Sequence, residues 1–162
     1  LAIQMCEKAI RLAPGFANAH YNLGLAYAKE RRLEEAFAHY TEAIRLNPSF
    51  AEAYCMMGRI HAFRWEYEKA RDLYQKALSL NPRLADAHYG MGRVEGEKGA
   101  IEKAIASYRE AIRLNPRHVY AHYRLGLAHG AVGRWEEAAS ALEAAVRLDS
   151  TYTNAHYSLG QA

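Results

Sequence analysis

The chain has 162 residues, of which 51% are hydrophobic and 24% charged, with a formal net charge of +3. Lys and Arg alternate with Asp and Glu, so the charge bias is too mild to argue for nucleic acid. Cys6 and Cys55 form neither a CxxC pair nor a metal-type cluster, which leaves no disulfide framework and no zinc motif. No apolar run reaches the roughly 18 residues a membrane span needs, so no membrane insertion is expected. The chain reads as soluble, with the cytoplasm preferred to the periplasm.

Residues 1–16 carry Ala2, Cys6, Ala9, Leu12 and Pro14 at the spacing of a single amphipathic helix with a proline stop. From Ala17 onward the sequence repeats every 34 residues without a gap, in blocks 17–50, 51–84, 85–118 and 119–152. Gly24, Gly58, Gly92, Gly126 and Gly160 occupy one column; Ala36, Ala70, Ala104 and Ala138 occupy another. Pro14, Pro48, Pro82 and Pro116 form a third, which Ser150 breaks. Residues 153–162 match only the opening of a fifth block. The period predicts one array of ten helices over 1–162, with an unpaired half-repeat at each end.

Within a block, His20, Leu23, Gly24 and Tyr27 lie on one helical stripe, and Leu33, Ala36, Phe37, Tyr40, Ala43 and Ile44 on a second. Two amphipathic helices joined by a tight turn pack antiparallel. Gly24 in mid-helix costs about 1 kcal/mol against Ala, so close packing against the second helix is the expected compensation. Gly99 and Gly133 suit a left-handed turn; Arg31 and Trp65 hold that column in the first two blocks, which predicts different turns there. Asn47–Pro48 and its equivalents stop the second helices.

These columns resemble the tetratricopeptide repeat (TPR) family over the whole chain. The Leu–Gly pair of that family stands here as Leu23–Gly24, Met57–Gly58, Met91–Gly92, Leu125–Gly126 and Leu159–Gly160. Its closing aromatic stands as Tyr40, Tyr74 and Tyr108, then departs to Leu142. The resemblance implies an all-α, right-handed superhelical α-solenoid whose first helices line a concave groove. It implies a protein–protein interaction scaffold rather than an enzyme, with a peptide segment of a partner bound in that groove.

Five columns face the groove on this reading: Tyr21, Cys55, Tyr89, Tyr123 and Tyr157; Asn22, Met56, Gly90, Arg124 and Ser158; Leu25, Arg59, Arg93, Leu127 and Gln161; Ala28, Ala62, Gly96 and Gly130, a floor of small residues; and Lys29, Phe63, Glu97 and Ala131. The candidate site is therefore Tyr21, Asn22, Leu25, Arg59, Phe63, Tyr89, Arg93, Tyr123, Arg124, Leu127 and Tyr157. Tyrosine supplies rigid area with one hydroxyl, and arginine a planar fork for carboxylates. That pairing predicts a ligand with apolar and acidic residues. Some of the tyrosines instead fill space between helices on the alternative reading. The carboxylate-clamp subtype needs Lys and Asn, then Asn, then Lys and Arg in three successive first helices, where Tyr21 and Leu25, Met56, and Asp86 and Gly90 stand. One repeat on only Arg124 matches, and an asparagine ladder would need more than Asn22, so neither subtype is expected.

His20, His88, His122 and His156 repeat at multiples of the period, about 10 Å apart per repeat, which is too far for one metal. Glu95 replaces an aromatic and is expected to be exposed or paired with His61 or His129. No catalytic residue, metal or cofactor is predicted, since no nucleotide-binding or hydrolase motif occurs. Two other functions stay open: a structural array for self-assembly in a larger complex, and a substrate-presenting arm of an enzyme whose catalytic domain lies elsewhere. The complementary half-repeats predict head-to-tail self-association.

Overall fold

A computed structural model of the chain describes residues 2–160, with the side chain of Ala2 left out. All regular structure among them is helical: α1 Ala2–Leu12, α2 Ala17–Lys29, α3 Leu33–Leu46, α4 Ala51–Phe63, α5 Tyr67–Leu80, α6 Ala85–Glu97, α7 Ile101–Leu114, α8 Val119–Ala131, α9 Trp135–Leu148 and α10 Thr153–Leu159. Two compact units divide them, residues 1–82 with α1 to α5 and residues 83–162 with α6 to α10. In each unit consecutive helices pack as antiparallel pairs, α2 on α3 and α4 on α5 in the first, α6 on α7 and α8 on α9 in the second.

The glycine column shows why the pairs close so tightly. A Cβ on Gly92 would sit 2.6 Å from Tyr108 Cε1 and 3.1 Å from the Ala104 carbonyl oxygen. A Cβ on Gly24 would meet Tyr40 at 2.6 Å, and one on Gly126 would meet Leu142 at 2.7 Å. The glycine therefore makes room for the large side chain of the second helix as well as for its backbone. Tyr40, Tyr74, Tyr108 and Leu142 are all buried in consequence.

The four turns inside the repeats are alike, contrary to the difference expected at Arg31 and Trp65. Arg31 (φ 60°) and Trp65 (φ 63°) adopt the left-handed conformation of Gly99 (φ 76°) and Gly133 (φ 74°). Each turn closes the same pair of bonds. Arg32 N–H donates to Tyr27 C=O at 3.0 Å and Arg31 N–H to Ala28 C=O at 3.1 Å; Arg134 and Gly133 do the same to His129 and Gly130, both at 3.0 Å. This pattern satisfies helix-end carbonyls whatever the side chain, so backbone bonding overrides the preference for glycine.

The stops between repeats are also uniform. Asn47 Oδ1 accepts from Ser49 N–H at 3.1 Å, and Asn115 Oδ1 from Arg117 N–H at 3.1 Å. Asp149 Oδ1 accepts from Thr151 N–H at 2.9 Å, so the Asx turn survives where Ser150 replaces proline.

Candidate functional site

In the second unit, α6 and α8 present the site residues and α7 backs them. Tyr89 lies half-buried, its ring 6.0 Å from Tyr108 of α7 and 4.8 Å from His118 at the start of α8. Arg124 hydrogen-bonds to Tyr89, and burial pushes the Tyr89 phenol above its ordinary pKa. Burial raises Tyr108 further, with Arg124 and Arg93 opposing it. Both phenols therefore stay neutral next to two guanidinium groups. A cleft of about 180 Å³ lies here, lined by Arg93, Gly96, Glu97, Tyr108, Arg124, Leu127 and Ala131 among others. Its floor is small: a Cβ on Gly96 would meet Ala104 Cβ only at 3.7 Å. Arg93 Nε is buried and has no hydrogen-bond partner. Such a charged-group donor costs free energy until an acceptor meets it.

Tyr123 packs edge-on against Tyr152 at 5.1 Å, and Tyr152 against Tyr120 at 5.6 Å. Tyr157 on α10 is 69% exposed and Leu127 is 36% exposed. The second unit thus brings Tyr89, Arg93, Arg124 and Leu127 to one place, while Tyr123 belongs to a neighbouring tyrosine cluster.

The first unit is built differently. Tyr21 packs at 5.8 Å from Tyr40 and 4.8 Å from Phe50. Asn22 and Arg59 are exposed, Leu25 is half-buried, and Phe63 is 62% exposed. Cys55 and Met56, placed in the facing columns by the period, are buried instead. Burial pushes Tyr40 up to about 12, with Arg59 acting the other way. Gln161 lies outside the described residues.

The tyrosines therefore serve packing as well as exposure. Tyr21, Tyr89 and Tyr123 each meet the residue that caps the next first helix: Phe50, His118 and Tyr152. That cap column, Phe16, Phe50, Leu84, His118 and Tyr152, was legible at the 34-residue period and is the missing partner of the tyrosine column. Tyr108 also lines the cleft, although its column reads as core alone.

The polar residues of the packed column find their own partners. Glu95 accepts from Ser107 Oγ at 2.8 Å rather than pairing with a histidine. His61 is bonded to Glu66, and His129 Nε2 accepts a long bond from Arg109 at 3.5 Å. Ser107 sits across the helix pair from Glu95, Glu66 stands at the start of α5 after the turn from His61, and Arg109 reaches His129 from the preceding helix α7. His118 caps α8, its Nδ1 accepting from Ala121 N–H at 3.2 Å, with Nε2 3.2 Å from Asp86 Oδ1. His122 Nε2 donates to the Pro116 carbonyl at 3.0 Å. Among the described residues no group of three His, Cys, Asp or Glu side chains gathers as a metal site, and no helix is long and apolar enough to cross a membrane.

Comparison with known proteins agrees with this geometry. The models described as "TPR repeat" match residues 66–99 and 92–133, and those described as "Tetratricopeptide repeat" match 17–50 and 119–152. No match is found among the curated proteins. Among solved structures, the chain is similar to MamA at 27% identity and a TM-score of 0.71, covering 93% of this chain and 88% of that one. It is similar to a thermophilic TPR protein of Thermus thermophilus at 19% identity and a TM-score of 0.81, covering 98% and 87%. It also matches the APC/C hetero-tetramer Cut9–Hcn1 at 21% identity and a TM-score of 0.93, over 98% of this chain and 32% of that one. The last two likenesses speak to the fold alone. Repeats and neighbours of this kind support a protein-interaction scaffold in general, a fold that is typically non-catalytic. The chain belongs to the tetratricopeptide repeat family.

Proposed function

We propose that the first-helix face of the second unit captures a peptide segment of a protein partner, with an acidic side chain at Arg93 and Arg124 and an apolar one at Leu127. The observation that carries this reading is the buried, unpartnered Arg93 Nε beside a cleft floored by small residues. A carboxylate is the acceptor that suits a guanidinium best, because the fork can bind both oxygens. Tyr89 holds Arg124 in place through its hydroxyl. Tyr123 and Tyr157 extend the recognising surface within the second unit, and Asn22, Leu25, Arg59 and Phe63 form a candidate recognising face of the first unit by itself.

The test is selection of peptides from a random library on the intact chain and on Arg93→Ala/Arg124→Ala. Acidic and apolar sequences should enrich on the first and be lost on the second. Enrichment that survives the double substitution would remove the cleft from the account.

Exposed apolar side chains on the outer helices favour a second reading, head-to-tail association. Met5 and Leu12 on α1 are 62% and 77% exposed, and Tyr157 lies on α10. Sedimentation should then show larger species as concentration rises; a strict monomer at high concentration contradicts it.

A further inference from the structure

A second cleft, larger than the first, lies on the opposite side of the second unit, between the second helices α7 and α9 and above α8. Its volume is about 480 Å³, and its floor is Ile112, Leu125, Ala141 and Ala144. The repeat explains why it opens here. Ala141 stands in the column of His39, Leu73 and Ser107, and Ala144 in that of Glu42, Lys76 and Glu110. Only in α9 are both residues small.

The fourth repeat also leaves a buried polar group without a partner. In the first repeat Tyr27 stacks on His39 at 5.5 Å, and in the third Glu95 accepts from Ser107 at 2.8 Å. In the second, where Leu73 holds that column, His61 bonds to Glu66 instead; in the fourth, Ala141 and Arg134 hold these two columns and neither supplies an acceptor to His129. His129 lines the cleft at 2% exposure, and its Nδ1 is buried without a hydrogen-bond partner. Arg109 donates to Nε2, so the proton of the neutral ring resides on Nδ1. Burial first, then Arg109, holds the imidazole below its ordinary pKa and therefore uncharged. A buried N–H donor with no acceptor is a standing cost that a ligand oxygen removes.

We infer that this cleft between α7 and α9 is a second binding site, taking a partner's peptide segment that lays one aliphatic side chain on Ile112, Leu125, Ala141 and Ala144 and offers an uncharged amide carbonyl to His129 Nδ1. The floor selects the aliphatic group. The acceptor is uncharged because Glu136 and Glu137 also line the cleft and balance Arg109 and Arg147, leaving no excess cation for a carboxylate. The site is independent of the Arg93 cleft on the other face.

Two small probes with one aliphatic tail test it on the full chain: isocaproamide, which is neutral, and isocaproate, which is anionic. Imidazole-nitrogen and backbone NMR should show saturable shifts at His129, Ala141 and Ala144 with isocaproamide at millimolar concentration. Isocaproate should bind at least about tenfold more weakly, a difference of about 1.4 kcal/mol. Ala144→Leu, which fills the floor, should abolish the response with circular dichroism unchanged. Should that variant fail to fold, Ala141→Ser decides: it gives Nδ1–H an internal acceptor, so it should weaken amide binding while raising Tm. No saturable shift at His129, an undiminished response in either folded variant, or equal binding of isocaproate would overturn the proposal.

Discussion

The first helices of the second and third repeats, α4 and α6, share their glycine column and differ almost everywhere else that faces away from it. In α4, Cys55 and Met56 are buried and Arg59 and Phe63 are exposed. In α6 the same columns hold Tyr89, half-buried against Tyr108 and His118, then Gly90, then Arg93 with its unpartnered Nε. The fold asks one thing of both helices, a missing Cβ opposite the tyrosine of the second helix. Everything else in the facing columns is free to vary, and in α6 it gathers tyrosine and arginine around a small-residue floor. Recognition chemistry is thus written in columns the fold leaves unused.

That division can be broken most severely at the glycine. Gly92→Ala should cost about 2–3 kcal/mol, because overpacking against Tyr108 and the Ala104 carbonyl outweighs the better helix propensity of alanine. Gly96→Ala, one turn on, should instead gain up to about 1 kcal/mol, since its Cβ meets only ordinary contacts. Thermal or urea unfolding of both variants measures the contrast; equal effects would mean that the two glycines are not different in kind.

Next comes the tyrosine column. Tyr89→Ala should destabilise by about 2 kcal/mol, for it packs on two rings, whereas Tyr157→Ala should stay within about 0.5 kcal/mol. Binding loss at Tyr89 is therefore read with Tyr89→Phe, which keeps the ring and removes the bond to Arg124.

The turns give a smaller effect. Trp65 is 73% exposed and holds φ 63°, so Trp65→Gly should stabilise by about 1 kcal/mol by relieving left-handed strain. Loss of stability there would mean that the Trp65–Tyr67 contact matters more than the backbone.

The mildest change concerns Tyr40, whose buried hydroxyl has no partner and whose pKa is pushed from 10.0 up to about 12. Between those values the unfolded chain loses the phenolic proton while the folded chain keeps it. Stability contributed by Tyr40 is thus present below pH 10 and is lost as pH rises toward 12. Tyr40→Phe should flatten that part of the alkaline decline and leave neutral stability nearly unchanged. Alkaline unfolding curves for the two proteins decide it.

The helices and their pairing were legible because the period aligns every core column. The turns at Arg31 and Trp65 are not legible from side-chain preference, because two backbone bonds close each turn whatever residue stands there. For Glu95 the periodic columns offer exposure or a histidine partner; Ser107, which donates the bond, stands in a column with no repeating chemistry. Arg93 and Arg124 were visible as residue types in facing columns. The floor of small residues is legible with them at Gly96, but the unpartnered Nε and the place of Tyr108 in the cleft are not, because both depend on how the helices pack.

The central claim is that Arg93 and Arg124 form the acid-reading part of the recognition face. Its most direct test is the affinity of one library-selected acidic peptide for the intact chain and for Arg93→Ala/Arg124→Ala, measured by calorimetry at two salt concentrations. A loss of at least about tenfold, roughly 1.4 kcal/mol, that shrinks at high salt with Tm unchanged is the predicted result. Equal affinity for both proteins at both salt concentrations would contradict it.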